Sequence, residues 1–185
     1  LPYAIPKRLY SSQLVVSGVV MPHQASQCFS ISASGATHTF IKSVCWAPGK
    51  QCLYLLPEIA LTEQITQRLG KLFGGDILIY HSRFNTNERG EIWNKVKDGE
   101  VNVIVGARSA VFLPFKDLGL IVVDEEHETS YKQFDPAPRY HARDAAIVLA
   151  QIFKAQVLLG SATPSFESYK NALDGKYELV NLSQK

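Results

Sequence analysis

The chain has 185 residues, 46% of them apolar, and a formal net charge of +2. That is enough for one soluble domain with a real core, and too little charge for composition to establish a polyanionic partner. Its three cysteines, Cys28, Cys45 and Cys52, contain no Cys-x-x-Cys pair and leave an odd thiol. This argues against a disulfide scaffold or zinc site and for a reducing compartment, the cytoplasm.

No stretch of about 18 apolar residues suggests a membrane span, and no signal-peptide pattern opens the chain. The first residue is Leu1 rather than Met, as expected of a piece cut from a longer chain.

Residues 1–48 read as an irregular amino-terminal part, with Pro, Ser and Gln among short apolar pairs. Leu14-Val-Val-Ser-Gly-Val-Val20 has strand character, weakened by Gly18 and closed by Pro22. Ser30 to Thr39 is rich in small and hydroxyl residues and fits either a phosphate-holding loop or a plain solvated loop. From Gln51 the pattern turns regular. Cys52 to Leu56 is a short apolar strand ended by Pro57. Ile59, Ile65, Leu69, Leu72 and Phe73 lie near helical spacing, with Gly74-Gly75 as the stop. Ile77 to Tyr80 is the next strand.

Asn85 with Glu88 forms a capping-box pattern for a helix through Ile92, Trp93 and Val96, closed by Gly99. Val101 to Val105 is a strand, and Gly106 to Ala110 turns into a short helix ending near Pro114. Leu118-Gly-Leu-Ile-Val-Val-Asp-Glu-Glu-His127 is an unbroken apolar run entering three acids and a histidine, as in a strand buried on both faces. His141 to Lys154 is a helix with Ala145, Val148, Leu149 and Ile152 on its expected buried side. Val157 to Leu159 is a further strand, followed by Gly160-Ser-Ala-Thr-Pro164. Ser165 caps a helix to Leu173, Asp174-Gly175 turns, and Glu178 to Leu182 reads as a last strand. Strands alternating with helices predict an α/β domain with a mainly parallel sheet, whose functional residues gather at the strand ends.

The acidic end of that long strand suits the metal and water side of a nucleotide triphosphatase. Mg²⁺ keeps several waters, so one or two carboxylates suffice to hold it, and a neighbouring carboxylate can take a proton from the attacking water. On this reading Asp124 holds the ion, Glu125 is the base, and His127 sits near the γ-phosphate and couples it to another motif. A merely solvated acidic strand end is the plainer alternative. Ser161 and Thr163, at the end of another buried strand, are placed to hydrogen-bond the acids or His127.

Asp124-Glu-Glu-His127 and Ser161-Ala-Thr163 resemble motifs II and III of superfamily 2 helicases of the DExH type, and within them the primosomal replication-restart helicases. Leu55-Leu-Pro-Glu-Ile-Ala-Leu-Thr62 is similar to that family's motif Ia. Similar too are His81-Ser82, Gly106 to Pro114, Val122 to Gln133, Arg139 to Asp144, Leu158 to Ser165 and Gly175 to Tyr177. The resemblance spans about residues 49–182. It implies a RecA-like first motor lobe over residues 49–185, helices on both faces of its sheet, and one structural domain overall. It also implies an ATP- and Mg²⁺-dependent 3′–5′ DNA helicase acting in primosome assembly and replication restart, with forked or single-stranded DNA and other primosome proteins as partners and no membrane.

The resemblance further implies that Pro57 to Thr62 and Gly106 to Ser109 face DNA, with Thr62 and Ser109 hydroxyls and Arg108 as phosphate donors. An Arg108–acid pair inside the domain is the alternative. Tyr131 to His141 matches the family's aromatic-rich loop. There Tyr131, Phe134 and Tyr140 would stack on bases while Lys132 and Arg139 supply charge, or the Pro-rich loop packs on its own domain.

The family pattern breaks at the phosphate loop, Gly-x-x-x-x-Gly-Lys-Ser/Thr. The nearest register, Ser30-Ile-Ser-Ala-Ser-Gly-Ala-Thr37, keeps Gly35 and Thr37 but places Ser30 at the first glycine and Ala36 at the lysine. Phe40-Ile-Lys42 resembles the start of the following helix. Ser34, Gly35, Ala36 and Thr37 are therefore the candidate nucleotide contacts, with Thr37 joining Asp124 at the metal, and ATP binding is expected to be weakened. The second lobe, its arginine finger, the zinc-binding cysteines and the amino-terminal DNA-binding domain of the family lie outside this sequence. The expectation is that the chain alone neither unwinds DNA nor hydrolyses ATP appreciably. A non-catalytic DNA-binding or partner-docking module is the rival reading, and a non-helicase metal hydrolase a weaker one.

Overall fold

The computed structural model describes residues 16–18, 49–73, 77–81, 84–161 and 163–180. In chain order the elements are β1 (Val16–Gly18), β2 (Gln51–Leu55), a 3-10 turn (Glu58–Ala60), α1 (Glu63–Phe73), β3 (Ile77–Tyr80), α2 (Thr86–Asp98) and β4 (Val103–Gly106). They continue with a second 3-10 turn (Arg108–Phe112), β5 (Leu118–Asp124), a third (Thr129–Tyr131), α3 (Ala142–Phe153), β6 (Gln156–Gly160), α4 (Phe166–Leu173) and β7 (Glu178–Val180). The strands form one sheet in the order β3-β4-β2-β5-β6-β1-β7. Those from β3 to β6 are joined in parallel, while β1 runs antiparallel to both β6 and β7. The α/β expectation with a mainly parallel sheet holds.

The period of two along a strand explains how the apolar runs are used. In β5, Ile121 and Val123 face a core shared with Ile92 and Val96 of α2 and Ala142, Ala146 and Ala150 of α3. Leu120 and Val122 face the opposite way, onto a second core with Leu69 of α1. Neither face of β5 can be polar, which is why its sequence does not alternate. The strand runs apolar until it leaves the helices' cover at Asp124.

Local signals set the borders. Asn85 and Glu88 complete the capping box at 2.9 Å in both directions, and Gly99 ends α2 at φ +75°, where a side chain would be strained. The Ser165 side chain accepts from the Ser168 N–H at the start of α4. Two readings need correction. The helix expected from Ile59 begins only at Glu63, because Glu58–Ala60 forms a separate 3-10 turn that leaves Ile59 83% exposed. On α3 the expected buried residues Val148 and Ile152 are 55% and 71% exposed, while Ala142, Ala146 and Ala150 are buried. A row of alanines lets the helix lie close on the sheet, and side-chain size misled the reading of its phase. Ala145 and Leu149 do pack against the core. The expected stop at Gly74-Gly75, the flanks of the 14–20 strand and the end of the last strand at Leu182 lie outside the described residues.

Candidate functional site

Asp124 ends β5 and stands level with Gly160 of β6 in the parallel register. It is fixed from three sides. The buried Tyr54 hydroxyl of β2 donates to Asp124 Oδ2 at 2.7 Å, and the Glu125 N–H donates to Oδ1 at 3.1 Å. The Tyr131 hydroxyl, from the third 3-10 turn, donates to the Asp124 and Leu55 carbonyls at 2.7 and 3.1 Å. It thereby ties the ends of β2 and β5 together. Burial first, and then the Asp124 charge, raises both phenols well above their ordinary range. They stay protonated and donate.

After Asp124 the chain turns sharply. Glu125 takes φ +48°, a left-handed conformation that a side chain adopts only under strain. The turn is closed by the Glu128 N–H on the Glu125 carbonyl at 2.8 Å and the Glu126 N–H on the Gly160 carbonyl at 3.0 Å. Half-buried Glu125 has its carboxyl raised above the usual range, by burial first and then by Asp124, with His127 opposing. A raised carboxyl is a stronger proton acceptor once ionised.

His127 meets the expected partners. Its Nδ1 lies 2.6 Å from Ser161 Oγ and its Nε2 3.3 Å from Thr163 Oγ1, and the Thr163 N–H donates to Ser161 Oγ at 3.0 Å. Glu125 Oε2 is 3.6 Å from Nδ1. The two segments singled out at neighbouring strand ends are thus joined through one imidazole.

Sequence reasoning gave Asp124 and Glu125 separate roles and none to Glu126, and the structure sets that third acid apart. Glu126 turns inward, is 1% exposed and accepts from Arg143 Nη1 at 3.0 Å. It also accepts from the Ser165 N–H at 2.6 Å and the Ser165 and Ser168 hydroxyls at 3.0 and 2.9 Å. Arg143 continues to Asp144 through Nε at 2.9 Å. Tyr54 was missed as well. It reads as one more apolar strand residue, and only the β2–β5 pairing brings its hydroxyl to Asp124.

The residues assigned to a DNA face divide. Thr62 is exposed before α1, its Oγ1 accepting from the Ile65 N–H at 3.4 Å. Pro57 is buried and Ser109 half-buried. Gly106 makes the tight exit from β4, since a Cβ there would lie 2.5 Å from the Ala110 Cβ. Among the described residues Arg108 forms no ion pair with an acid. Its Nη1 donates to the Ser130 and Lys132 carbonyls at 3.3 and 3.0 Å, so it braces the loop. Tyr131 is a correction: at 1% exposure, with its hydroxyl held by two carbonyls, it cannot stack on a base.

The rest of that loop projects outward. Lys132 and His141 bridge its base, and the Gln133 N–H donates to the Tyr140 carbonyl at 2.8 Å. Phe134 is 62% exposed with Lys132 Nζ 4.8 Å over its ring. Arg139 is exposed, and half-buried Tyr140 packs edge-on against Phe112 at 4.8 Å. Ser34, Gly35, Ala36 and Thr37 lie outside the described residues.

Among the described residues no three His, Cys, Asp or Glu side chains converge as a metal cage. Mg²⁺ does not need one, since a single carboxylate supplemented by water and phosphate oxygens suffices. Asp124, a half-buried carboxylate at a strand end held by Tyr54 and the Glu125 N–H, fits that ion.

Comparison with known proteins follows the same lines. The family model of the DEAD/DEAH box helicases matches residues 26–172. Replication restart protein PriA of Bacillus subtilis (strain 168) is 43% identical over 165 residues, 88% of this chain and 20% of that protein. The Chlamydia trachomatis PriA is 40% identical over 188 residues, covering 97% of the chain and 25% of its own length. That of Rickettsia conorii is 46% identical over 154 residues, 82% and 24%. The chain thus spans about a quarter or less of the length of these relatives.

Proposed function

Because this chain belongs to the DEAD/DEAH box helicase family, we propose that it carries the acidic half of the ATP site of a replication-restart DNA helicase. The single observation behind this reading is His127 held between Ser161 and Thr163, three residues beyond an anchored Asp124. Residues 49–185 act as the first motor lobe, with residues 1–48 leading into it. Asp124 holds Mg²⁺, which when bound places positive charge on the phosphates. Glu125, strained and raised, takes the proton of the attacking water. His127 relays the state of that site to Ser161 and Thr163. Phe134, Tyr140, Lys132 and Arg139 form the outward loop that meets single-stranded or forked DNA, and Thr62 and Ser109 add phosphate contacts. Primosome proteins are further partners on this reading. Among the described residues no helix is long and apolar enough to cross a membrane.

Ser34, Gly35, Ala36 and Thr37 are the chain's phosphate loop in this proposal, and Ala36 in place of lysine removes the fixed positive charge from the phosphates. Nucleotide binding is then weak. Calorimetry with ATP and Mg²⁺ tests the reading on this chain and on the Ser30→Gly/Ala36→Lys double variant. Weak or undetectable binding by the first and clear binding by the second is expected. No binding by a folded double variant refutes it. The exposed Lys132–Phe134 pair favours one rival, a DNA-binding module without catalysis. Single-strand binding that ignores ATP and Mg²⁺ in the double variant as well would establish that rival instead.

A further inference from the structure

We propose that Glu126 and Ser165 are positioning residues for the contact between His127 and the Ser161–Thr163 segment. The proposal rests on the reading of that contact as the coupling element of the site. Its starting point is how the short connection between β6 and α4 is tied down. At its first end Gly160 is paired level with Asp124, and its carbonyl accepts the Glu126 N–H at 3.0 Å. At its far end the Glu126 carboxylate takes the Ser165 N–H at 2.6 Å and the Ser165 hydroxyl at 3.0 Å. One residue, immediately before His127, therefore holds both ends of the segment that His127 touches.

The two ends use different atoms, and this gives the arrangement its specificity. The backbone of Glu126 sets where the connection begins, and its side chain sets where α4 begins. The distance between those ends fixes the room within which Ser161 Oγ reaches His127 Nδ1 at 2.6 Å and Thr163 Oγ1 reaches Nε2 at 3.3 Å. Arg143 Nη1 donates to Glu126 Oε2 at 3.0 Å and to Ser165 Oγ at 2.7 Å, so the carboxylate cannot turn away without breaking a buried charged pair. Buried charged hydrogen bonds of this kind are directional and hold a single geometry when fully satisfied. Ser168 donates to the same carboxylate at 2.9 Å, but it sits inside α4 and does not border the connection. Ser165 also caps α4 and accepts from Arg143, so a role in stability alone would speed amide exchange throughout α4, whereas a positioning role shows at Thr163 and at the His127 ring.

The test reads the ring and the segment directly, without turnover. Long-range ¹H–¹⁵N spectra of the His127 imidazole in the 185-residue chain, at one fixed pH, report its tautomer and hydrogen bonds. Amide exchange at Thr163 reports the bond from its N–H to Ser161 Oγ. Ser165→Ala is expected to shift the His127 ring nitrogens and speed Thr163 exchange about tenfold, the scale of losing one capping hydrogen bond. Ser165→Thr, which keeps the hydroxyl, restores both, and Ser168→Ala leaves both unchanged. Glu126→Gln should reproduce Ser165→Ala. If that variant does not fold, the serine variants decide alone. An unchanged His127 in Ser165→Ala, or an equal change in Ser168→Ala, overturns the proposal. Failure of the Ser30→Gly/Ala36→Lys variant to bind ATP would instead strike the functional reading and leave this measurement standing.

Discussion

The loop that leaves the acidic turn contains two aromatic residues with opposite fates, and substituting each separates folding from DNA contact. Tyr131 is 1% exposed and its hydroxyl spans the carbonyls of Leu55 and Asp124. Tyr131→Phe keeps the ring and removes the hydroxyl that donates to both strand-end carbonyls. A lost buried hydrogen bond with acceptors left behind costs about 1–3 kcal/mol. The upper half of that range is expected, because two acceptors lose one donor. Phe134 is 62% exposed with Lys132 Nζ 4.8 Å over its ring, so Phe134→Ala should change stability by no more than about 0.5 kcal/mol. Stacking of a base on an aromatic ring is worth about 1–3 kcal/mol, roughly a five- to 150-fold change in affinity. Urea unfolding measures the first quantity, and anisotropy of a labelled single-stranded oligonucleotide at one fixed salt concentration measures the second. Tyr131→Phe should lower the urea midpoint and leave DNA affinity unchanged, and Phe134→Ala should do the reverse. If Tyr131→Phe weakens DNA binding at unaltered stability, the buried assignment of Tyr131 is wrong. If Phe134→Ala leaves affinity untouched, the loop is not the DNA contact.

Other consequences follow from the same geometry. Glu125 has a raised carboxyl, so its folded form favours the proton. The stability this gives is present at low pH and is lost as pH rises through the folded value. Glu125→Gln should therefore raise the urea midpoint at neutral pH, with the gain closing below the ordinary value of 4.5. Tyr54 and Tyr131 are raised above 10.0, so in metal-free buffer each lowers stability by about 1.4 kcal/mol per pH unit above that value, as only the unfolded phenols ionise. Tyr54→Phe should make that slope shallower by its own share, about 1.4 kcal/mol per pH unit, and equal slopes in parent and variant would contradict the assignment. Lys154 closes α3 at φ +54°, so Lys154→Gly should raise the thermal midpoint, by an amount equivalent to about 0.5–1 kcal/mol. An unchanged midpoint would mean the left-handed cap is not strained.

The sequence made part of this site legible because two physical signals coincide there. An apolar run too long to alternate must be covered on both faces, so the point where Asp124 interrupts it has to be a strand end. The same holds for Gly160 and hence for Ser161 and Thr163, and adjacent parallel strands bring such ends together. What lay beyond reach was direction. Asp124, Glu125 and Glu126 are consecutive acids whose side chains part only because Glu125 adopts a left-handed turn, and no composition rule signals that turn in a glutamate. Arg143, the partner of Glu126, is 17 residues away on a helix, where an arginine reads as surface charge. Tyr131 misled for a related reason. It belongs to an aromatic- and proline-rich loop, yet it is the one residue of that loop whose 3-10 turn carries it back under the sheet end.

The site also divides its fixation unevenly, and that bears on the proposed chemistry. Asp124 is held through its carboxylate, its carbonyl and its strand pairing, by groups from β2, the third 3-10 turn and β6. A carboxylate so placed needs little reorganisation to accept an ion, which is the condition for an efficient metal ligand. Glu125, one residue on, carries the opposite features: a strained backbone, a half-buried carboxyl and a like charge beside it. Strain and unfavourable ionisation in a residue flanked by a rigid anchor persist only when the surroundings enforce them. Here the enforcing contacts are the turn's hydrogen bonds to Gly160 and Glu128. Relieving Glu125 should therefore stabilise the fold while removing the proton acceptor. The Glu125→Gln midpoint, rising where the proposed activity would vanish, is the measurement in which fold and function pull apart.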